Sequence, residues 1–226
     1  MDGSVDGQTV ADQETLTQGA RPRQAGDSRK SQRTRARILD TAMRLFAEVG
    51  YHPASNAVIA EASGLTRGAM LYHFASREAL LDALIPHIEA ARARLFESAA
   101  DETPPGSDRT DHAIDAYWRL LHETPFIAFN EMEAAARTDA TLRDRLRAAQ
   151  AAFDRLQVGE HTSGLMGAGE APRLQASRDL ARFVLEGLSK AHLAYDGDAR
   201  TERLLGVVKR AAHMLNRKGS IADLWS

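Results

Sequence analysis

Residues 64–84 read GLTRGAMLYHFASREALLDAL, and two helical patterns meet in them. The first spans about two turns and sets Thr66, Arg67, Gly68, Tyr72 and His73 around Met70 and Phe74. The second restarts at Ser76, a capping residue, and continues with Leu80, Leu81, Leu84, Ile85 and Ile88 on one stripe. A two-turn helix has little stability of its own, so its exposed side chains need a separate reason.

The segment before it supplies that reason. Ser55 to Ala62 reads as another short helix, burying Val58 or Ile59, and Gly64 breaks it. Thr66 is placed to cap the next helix. A short helix with Ile59 and the small Ala60, a glycine turn followed by Leu65, and a second short helix make a helix-turn-helix layout. The second helix needs only its first turns to enter a major groove, where N-terminal residues face base edges and phosphates. Its outward positions are Thr66, Arg67, Gly68, Leu71 and Tyr72, with Met70 and Phe74 turned inward.

Upstream, a longer helix runs from about Ser28 or Ser31 to Val49, with Ile38, Ala42, Leu45, Phe46 and Val49 at helical spacing, and stops at Gly50. Residues 1–27 have no periodicity and read as a disordered tail. Charge along this region is uneven. Asp2, Asp6, Asp12 and Glu14 stand without a basic residue, then Arg21, Arg23, Arg29, Lys30, Arg33, Arg35 and Arg37 face only Asp27. That basic run lies directly before the helix-turn-helix, so local charge speaks for nucleic acid where the net charge of −2 is silent.

Downstream the pattern stays helical. Pro86 lies inside the Ser76 helix, where it removes the amide for the Asp82 carbonyl and predicts a kink, not a stop. Thr103 to Asp108 is a loop, and a fifth helix follows to about Glu123. Thr124 and Pro125 predict a cap and first turn for a sixth, reaching about Arg137. Leu142, Leu146, Ala149, Phe153 and Leu156 give the seventh. A flexible connection over 159–171 leads to an eighth, opened by Pro172 and closed by Gly197, and a ninth runs from about Ala199 to Arg217. No stretch alternates with period two, so the fold class is all-α. The last two helices are apolar over more than half their circumference, which implies burial inside the subunit and again against a second copy. Leu180, Val184, Leu188 and Ala191 on one, and Leu204, Val208, Ala211 and Leu215 on the other, are the candidate dimer residues.

Several classes are excluded or disfavoured. The chain has 226 residues, 43% of them hydrophobic, with no apolar run near membrane-spanning length and no signal-peptide pattern. Zero cysteines exclude disulfides, thiolate metal sites and cysteine nucleophiles. No H-E-x-x-H, G-x-S-x-G, P-loop or G-x-G-x-x-G occurs, and carboxylate–histidine neighbours such as Asp111–His112 and Glu160–His161 do not share a helix face. Catalytic residues, a cofactor and a metal set are therefore not expected, and a cytoplasmic location is.

The stretch RARILDTAMRLFAEVGYHPASNAVIAEASGLTRGAMLYHFASREALLDAL resembles the N-terminal DNA-binding domain of TetR-type transcriptional regulators. LFAEVGY, IAEASGLTRGAM and YHFASREAL carry the likeness in order over about fifty residues, and AARTDATLRDRL resembles a stretch common in the family's second domain. The resemblance implies a dimeric regulator, by family default a repressor, that binds a palindromic operator and is released by a small molecule. It divides the chain into a tail over 1–27, the helix-turn-helix domain over 28–75, a helical ligand-binding and dimerisation domain over 76–218, and a C-terminal tail over 219–226. Carried over to this sequence, Arg67 becomes the candidate for base readout, Gly68 allows close approach, and Ser55, Thr66, Leu71, Tyr72, His73 and Arg77 lie at the DNA. Arg29, Lys30, Arg33 and Arg35 would sit over the backbone, with Arg21 and Arg23 as a minor-groove arm. The sequence departs from the family at Leu71, where a tyrosine is frequent, at Ala54, where a threonine is, and at Asn56, usually apolar.

For the second domain the resemblance implies an effector pocket. Tyr117, Trp118, Leu121, His122, Phe126, Phe129, Asn130, Met132, Glu133 and Phe153 are its candidate lining, an apolar set interleaved with His122, Asn130 and Glu133 as polar groups. The alternative function is a helical dimer that binds a partner and has lost specific DNA recognition.

Overall fold

The structure, a computed structural model, describes residues 25–156, 172–192 and 198–216. The tail with Arg21 and Arg23, the 159–171 connection, Tyr195, Gly197 and the C-terminal tail lie outside the described residues. Among the described residues every element is a helix: α1 Ala25–Val49, α2 Asn56–Ala62, α3 Arg67–His73, α4 Arg77–Asp101, α5 Arg109–Leu120, α6 Thr124–Ala136, α7 Ala140–Leu156, α8 Pro172–His192 and α9 Asp198–Asn216. The chain is all-α, as its periodicity predicts.

Local chemistry sets most of the ends. Gly50 takes φ +88° at the end of α1, and its N–H returns to the Phe46 carbonyl at 3.1 Å. Ser55, Thr66 and Ser76 each cap a helix, accepting from the backbone N–H of Val58, Ala69 and Ala79. Asp108 caps α5 by accepting from Thr110 and Asp111, and Asp139 accepts from Leu142 in the first turn of α7. Two expectations shift. α1 begins at Ala25, upstream of Ser28 and Ser31, so the basic run from Arg29 to Arg37 lies within the helix. In α6 the cap is Glu123, whose carbonyl takes the amides of Phe126 and Ile127. Thr124 is already helical there, because Pro125 lacks an N–H and fits the second helical position as well as the first. Pro86 lies within α4, which continues unbroken to Asp101.

Two apolar clusters form the interior. The first joins Ile38, Leu39, Ala42, Leu45 and Phe46 of α1, Ile59, Met70 and Phe74 of the short helices, Leu80 to Ile88 of α4, Ala128 to Ala136 of α6, and Leu142 and Leu146 of α7. It crosses residue 75 without interruption, so α2 and α3 rest on the same core that holds the start of α4. The second joins Ala99, Ile114, Ala116, Leu120, Leu121, Phe126, Leu185, Val208 and Ala212. Two helices belong to both. α4 passes from Ile88 in the first cluster to Ala99 in the second, and α6 has Phe126 in the second and Phe129 in the first. Any rotation of either helix therefore moves both clusters.

Candidate nucleic-acid interface

The turn between α2 and α3 is closed by the backbone. The Gly64 N–H donates to the Glu61 carbonyl and the Leu65 N–H to the Ala60 carbonyl, each at 2.9 Å. Gly64 has φ +66°, and a Cβ there would meet nothing within 4 Å. The turn therefore needs glycine for its left-handed conformation and not for space. Leu65, which follows the glycine, is partly buried against the first cluster.

α3 divides as its spacing predicts. Met70 and Phe74 are each 1% exposed in the first cluster, while Thr66, Arg67, Gly68, Leu71 and Tyr72 are exposed on the other side. Tyr72 is 67% exposed with its ring edge-on to His73, which is partly buried. A Cβ on Gly68 would again meet nothing within 4 Å, so internal packing does not select that glycine. The face thus offers a guanidinium, a hydroxyl, a phenol and an open backbone, which suits hydrogen bonding to base edges and phosphates. Arg29, Lys30 and Arg33 are exposed on α1, and the Thr34 hydroxyl donates to the Lys30 carbonyl.

Two of the candidate phosphate residues are instead engaged with the domain itself, Arg77 partly buried and Arg35 still exposed. Arg77 donates from Nη1 to the Ala54 carbonyl at 2.7 Å and from Nη2 to the Tyr51 carbonyl at 3.0 Å. Its guanidinium also lies over the rings of Phe46 and Tyr51, 4.9 and 4.7 Å from their centroids. Arg77 is therefore a tether between α4 and the turn before α2, with both fork arms occupied. Arg35 donates to the His73 carbonyl at 2.8 Å and covers Phe74 at 4.1 Å, so it closes the C-terminal end of α3, where a cation also suits the helix dipole. Sequence spacing could not reveal these partners, because all three are backbone carbonyls distant along the chain. Ala54, the departure from a frequent threonine, is fully buried, and its carbonyl is one that Arg77 holds. Asn56 has a buried Oδ1 with no partner among the described residues.

Residues 38–84 match the family model for bacterial regulatory proteins of the tetR family. The chain carries a TetR-type N-terminal domain. It is 35% identical over 95 residues to the HTH-type transcriptional regulator UidR of Escherichia coli, covering 42% of this chain and 46% of UidR. It is 34% identical over 112 residues to the HTH-type transcriptional regulator TtgR of Pseudomonas putida, covering 48% of this chain and 47% of TtgR. These alignments span about half the length of each curated relative. In fold the chain is similar to a TetR-family member from Streptomyces coelicolor, with a TM-score of 0.56 at 22% identity over 79% of this chain and 97% of that one. The likeness of fold thus extends beyond residues 38–84 to most of the chain.

Behind the TetR-type domain, the candidate effector lining divides between the two clusters. Leu121 and Phe126 are buried in the second, whereas Phe129 and Met132 are buried in the first. Tyr117, Phe126 and Phe153 do come together, around Phe96, each with its ring centroid 5.6 Å from that ring. Phe96 was not among the expected residues. Trp118 and Asn130 are partly buried. His122 does not converge with them: it is exposed, and its Nδ1 is 2.9 Å from the Trp118 carbonyl one turn earlier. Glu133 is exposed, and partial desolvation, opposed by Lys190, raises its carboxyl above the usual range. The polar groups that accompany the aromatic rings are others. The Tyr117 hydroxyl donates to Glu186 Oε1 at 2.8 Å, and Arg92 lies among the rings at 3% exposure. Burial, then Glu186, raises the Tyr117 phenol well above its ordinary value.

The candidate dimer residues also separate. Leu188, Val208 and Leu215 are buried within the chain itself, at 8%, 5% and 9% exposure, so they are core residues and not an open face. Val184, Leu204 and Ala211 are partly buried, while Leu180 and Ala191 are exposed. Phe183, Val207 and Met214 join Leu180 as large exposed apolar side chains on α8 and α9. Their neighbours in the periodic stripe are buried, so only the tertiary packing tells the two sets apart. Asp108, Asp111 and His213 offer three potential ligand atoms within 4.8 Å of one another. His213 Nε2 lies 2.9 Å from Asp111 Oδ1, which ties α9 to α5 as an ion pair when the histidine is protonated.

Proposed function

We propose that the protein is a sequence-specific DNA-binding transcriptional regulator that acts as a dimer on a palindromic operator in the cytoplasm. The observation that carries this is the outer face of α3, where Thr66, Arg67, Gly68, Leu71 and Tyr72 are exposed while Met70 and Phe74 anchor the helix. Arg67 reads a base, since a guanidinium can bond guanine O6 and N7 together, and Gly68 lets the helix backbone approach the groove. Ser55, Thr66, Tyr72 and His73 serve phosphates, with Arg29, Lys30 and Arg33 over the flanking backbone. The exposed Leu180, Phe183, Val207 and Met214 supply the surface on which a second copy docks. Two-fold related recognition helices must lie about 34–36 Å apart to enter successive major grooves.

Regulation follows from the shared helices. An effector between the clusters biases α4 and α6, changes the spacing of the recognition helices and releases the operator, which makes repression relieved by ligand the default behaviour. Coupling of this kind amounts to about 1–3 kcal/mol. Selection of bound duplexes from a random pool, with purified protein, tests the reading. An enriched inverted repeat bound with Kd of about 10⁻⁸–10⁻¹¹ M, and weakened by Arg67→Ala, is the expected result. Absence of any enriched sequence would sink it.

A further inference from the structure

Arg92 sits on α4 where the two apolar clusters meet. Its guanidinium carbon is 4.2 Å from the ring centroid of Phe129 in the first cluster and 4.8 Å from that of Phe126 in the second. Phe153 covers it at 4.1 Å. Nη1 donates to Glu89 Oε1 at 2.9 Å and, at 3.4 Å, to Gln150 Oε1. Nε is buried and has no hydrogen-bond partner among the described residues. Buried donors are almost always paired in folded proteins, and a guanidinium cannot relieve an unmet N–H by losing its charge. The charges nearby come as pairs, Arg92 with Glu89 and Arg182 with Glu186, and the second pair also holds the Tyr117 hydroxyl.

We propose that this seam receives a flat, uncharged aromatic molecule whose carbonyl or hydroxyl oxygen accepts the hydrogen bond from Arg92 Nε. The inference rests on the effector-site part of the function proposed above and gives the effector its chemistry. A cation would leave the Nε–H unmet. An anion would enter beside Glu89 and Glu186, with Arg92 and Arg182 already paired. A neutral acceptor meets the donor without adding charge. Phe96, Phe126 and Phe153 supply ring faces and edges for a flat body. Phe129 then carries the change onward, since it shares a cluster with Ile38 and Phe46 of α1.

Three probes with one apolar body decide the matter: 2-naphthol, 2-naphthoate and naphthalen-2-ylmethylammonium, each titrated calorimetrically into the full chain. The proposal expects 2-naphthol to bind at least about tenfold more tightly than either charged probe, and Arg92→Met to weaken it by about tenfold. The ranking on the unaltered protein stands even if Arg92→Met does not fold, which a thermal melt reports. Equal affinities, tighter binding of a charged probe, no binding of any probe, or a folded Arg92→Met with unchanged 2-naphthol affinity would each overturn it. Duplex selection is read separately, so a protein that ranks the probes as expected but enriches no DNA sequence refutes the operator reading and leaves this one intact.

Discussion

Arg67 and Arg77 begin consecutive helices, each directly after a hydroxyl cap, Thr66 or Ser76. The local chemistry of the two starts is nearly the same, yet the side chains do opposite things. Arg67 stands exposed at the open end of α3, whereas Arg77 folds back onto the Tyr51 and Ala54 carbonyls and two aromatic rings. The difference lies in what faces each helix end. The start of α4 abuts the turn before α2, and among the described residues nothing covers the start of α3. A capped arginine is therefore a tether or a reader according to its surroundings and not its sequence.

Substitutions can break or sharpen this contrast. Arg77→Ala should have the largest effect, lowering the unfolding free energy by about 2–4 kcal/mol, since it removes two charge-assisted hydrogen bonds and leaves two carbonyls without their donors. Urea denaturation measures this, and a loss below about half a kilocalorie, the range of ordinary surface substitutions, would make the tether ornamental. Arg67→Ala should leave stability within about 0.5 kcal/mol but weaken operator binding by about 1–3 kcal/mol, with relaxed preference at one base position. Parallel denaturation and duplex titration separate the two quantities.

The caps should behave alike where the arginines do not. Thr66→Ala and Ser76→Ala should each cost about 1 kcal/mol of stability, because each hydroxyl accepts one backbone N–H in the same geometry. A cap effect confined to one helix would mean that the arginines differ for a local reason after all. Gly68→Ala should act in the opposite direction, raising stability by up to about 0.5–1 kcal/mol, since its Cβ meets open space on a helix. Operator affinity should nonetheless fall, and an unchanged affinity would remove Gly68 from the interface.

Much of this was legible from residues close together in sequence. The caps at Thr66 and Ser76, the stops at Gly50 and Gly64, and the inward positions of Met70 and Phe74 rest on spacings of a few residues. The Thr124 cap was displaced by one position, because proline marks a helix start without fixing its register. The second domain was less legible. Its aromatic residues were visible, but their division between two clusters was not, and His122 proved to face its own helix. One signal was available: Arg92 falls on the same stripe as Ile88, Leu95 and Ala99, a charge where the pattern demands an apolar residue.

The sequence by itself determined the helices, several of their caps and the two-faced α3, because hydrogen bonds and apolar periodicity within a helix depend on neighbours at most four residues away. Only the tertiary structure decided which arginines face outward, which apolar residues of α8 and α9 are already covered, and that a charged side chain lies between two cores. Those outcomes depend on partners such as the Tyr51 carbonyl, 26 residues from Arg77, and the Glu186 carboxylate, 69 from Tyr117. No local rule encodes a distance across the chain; packing does.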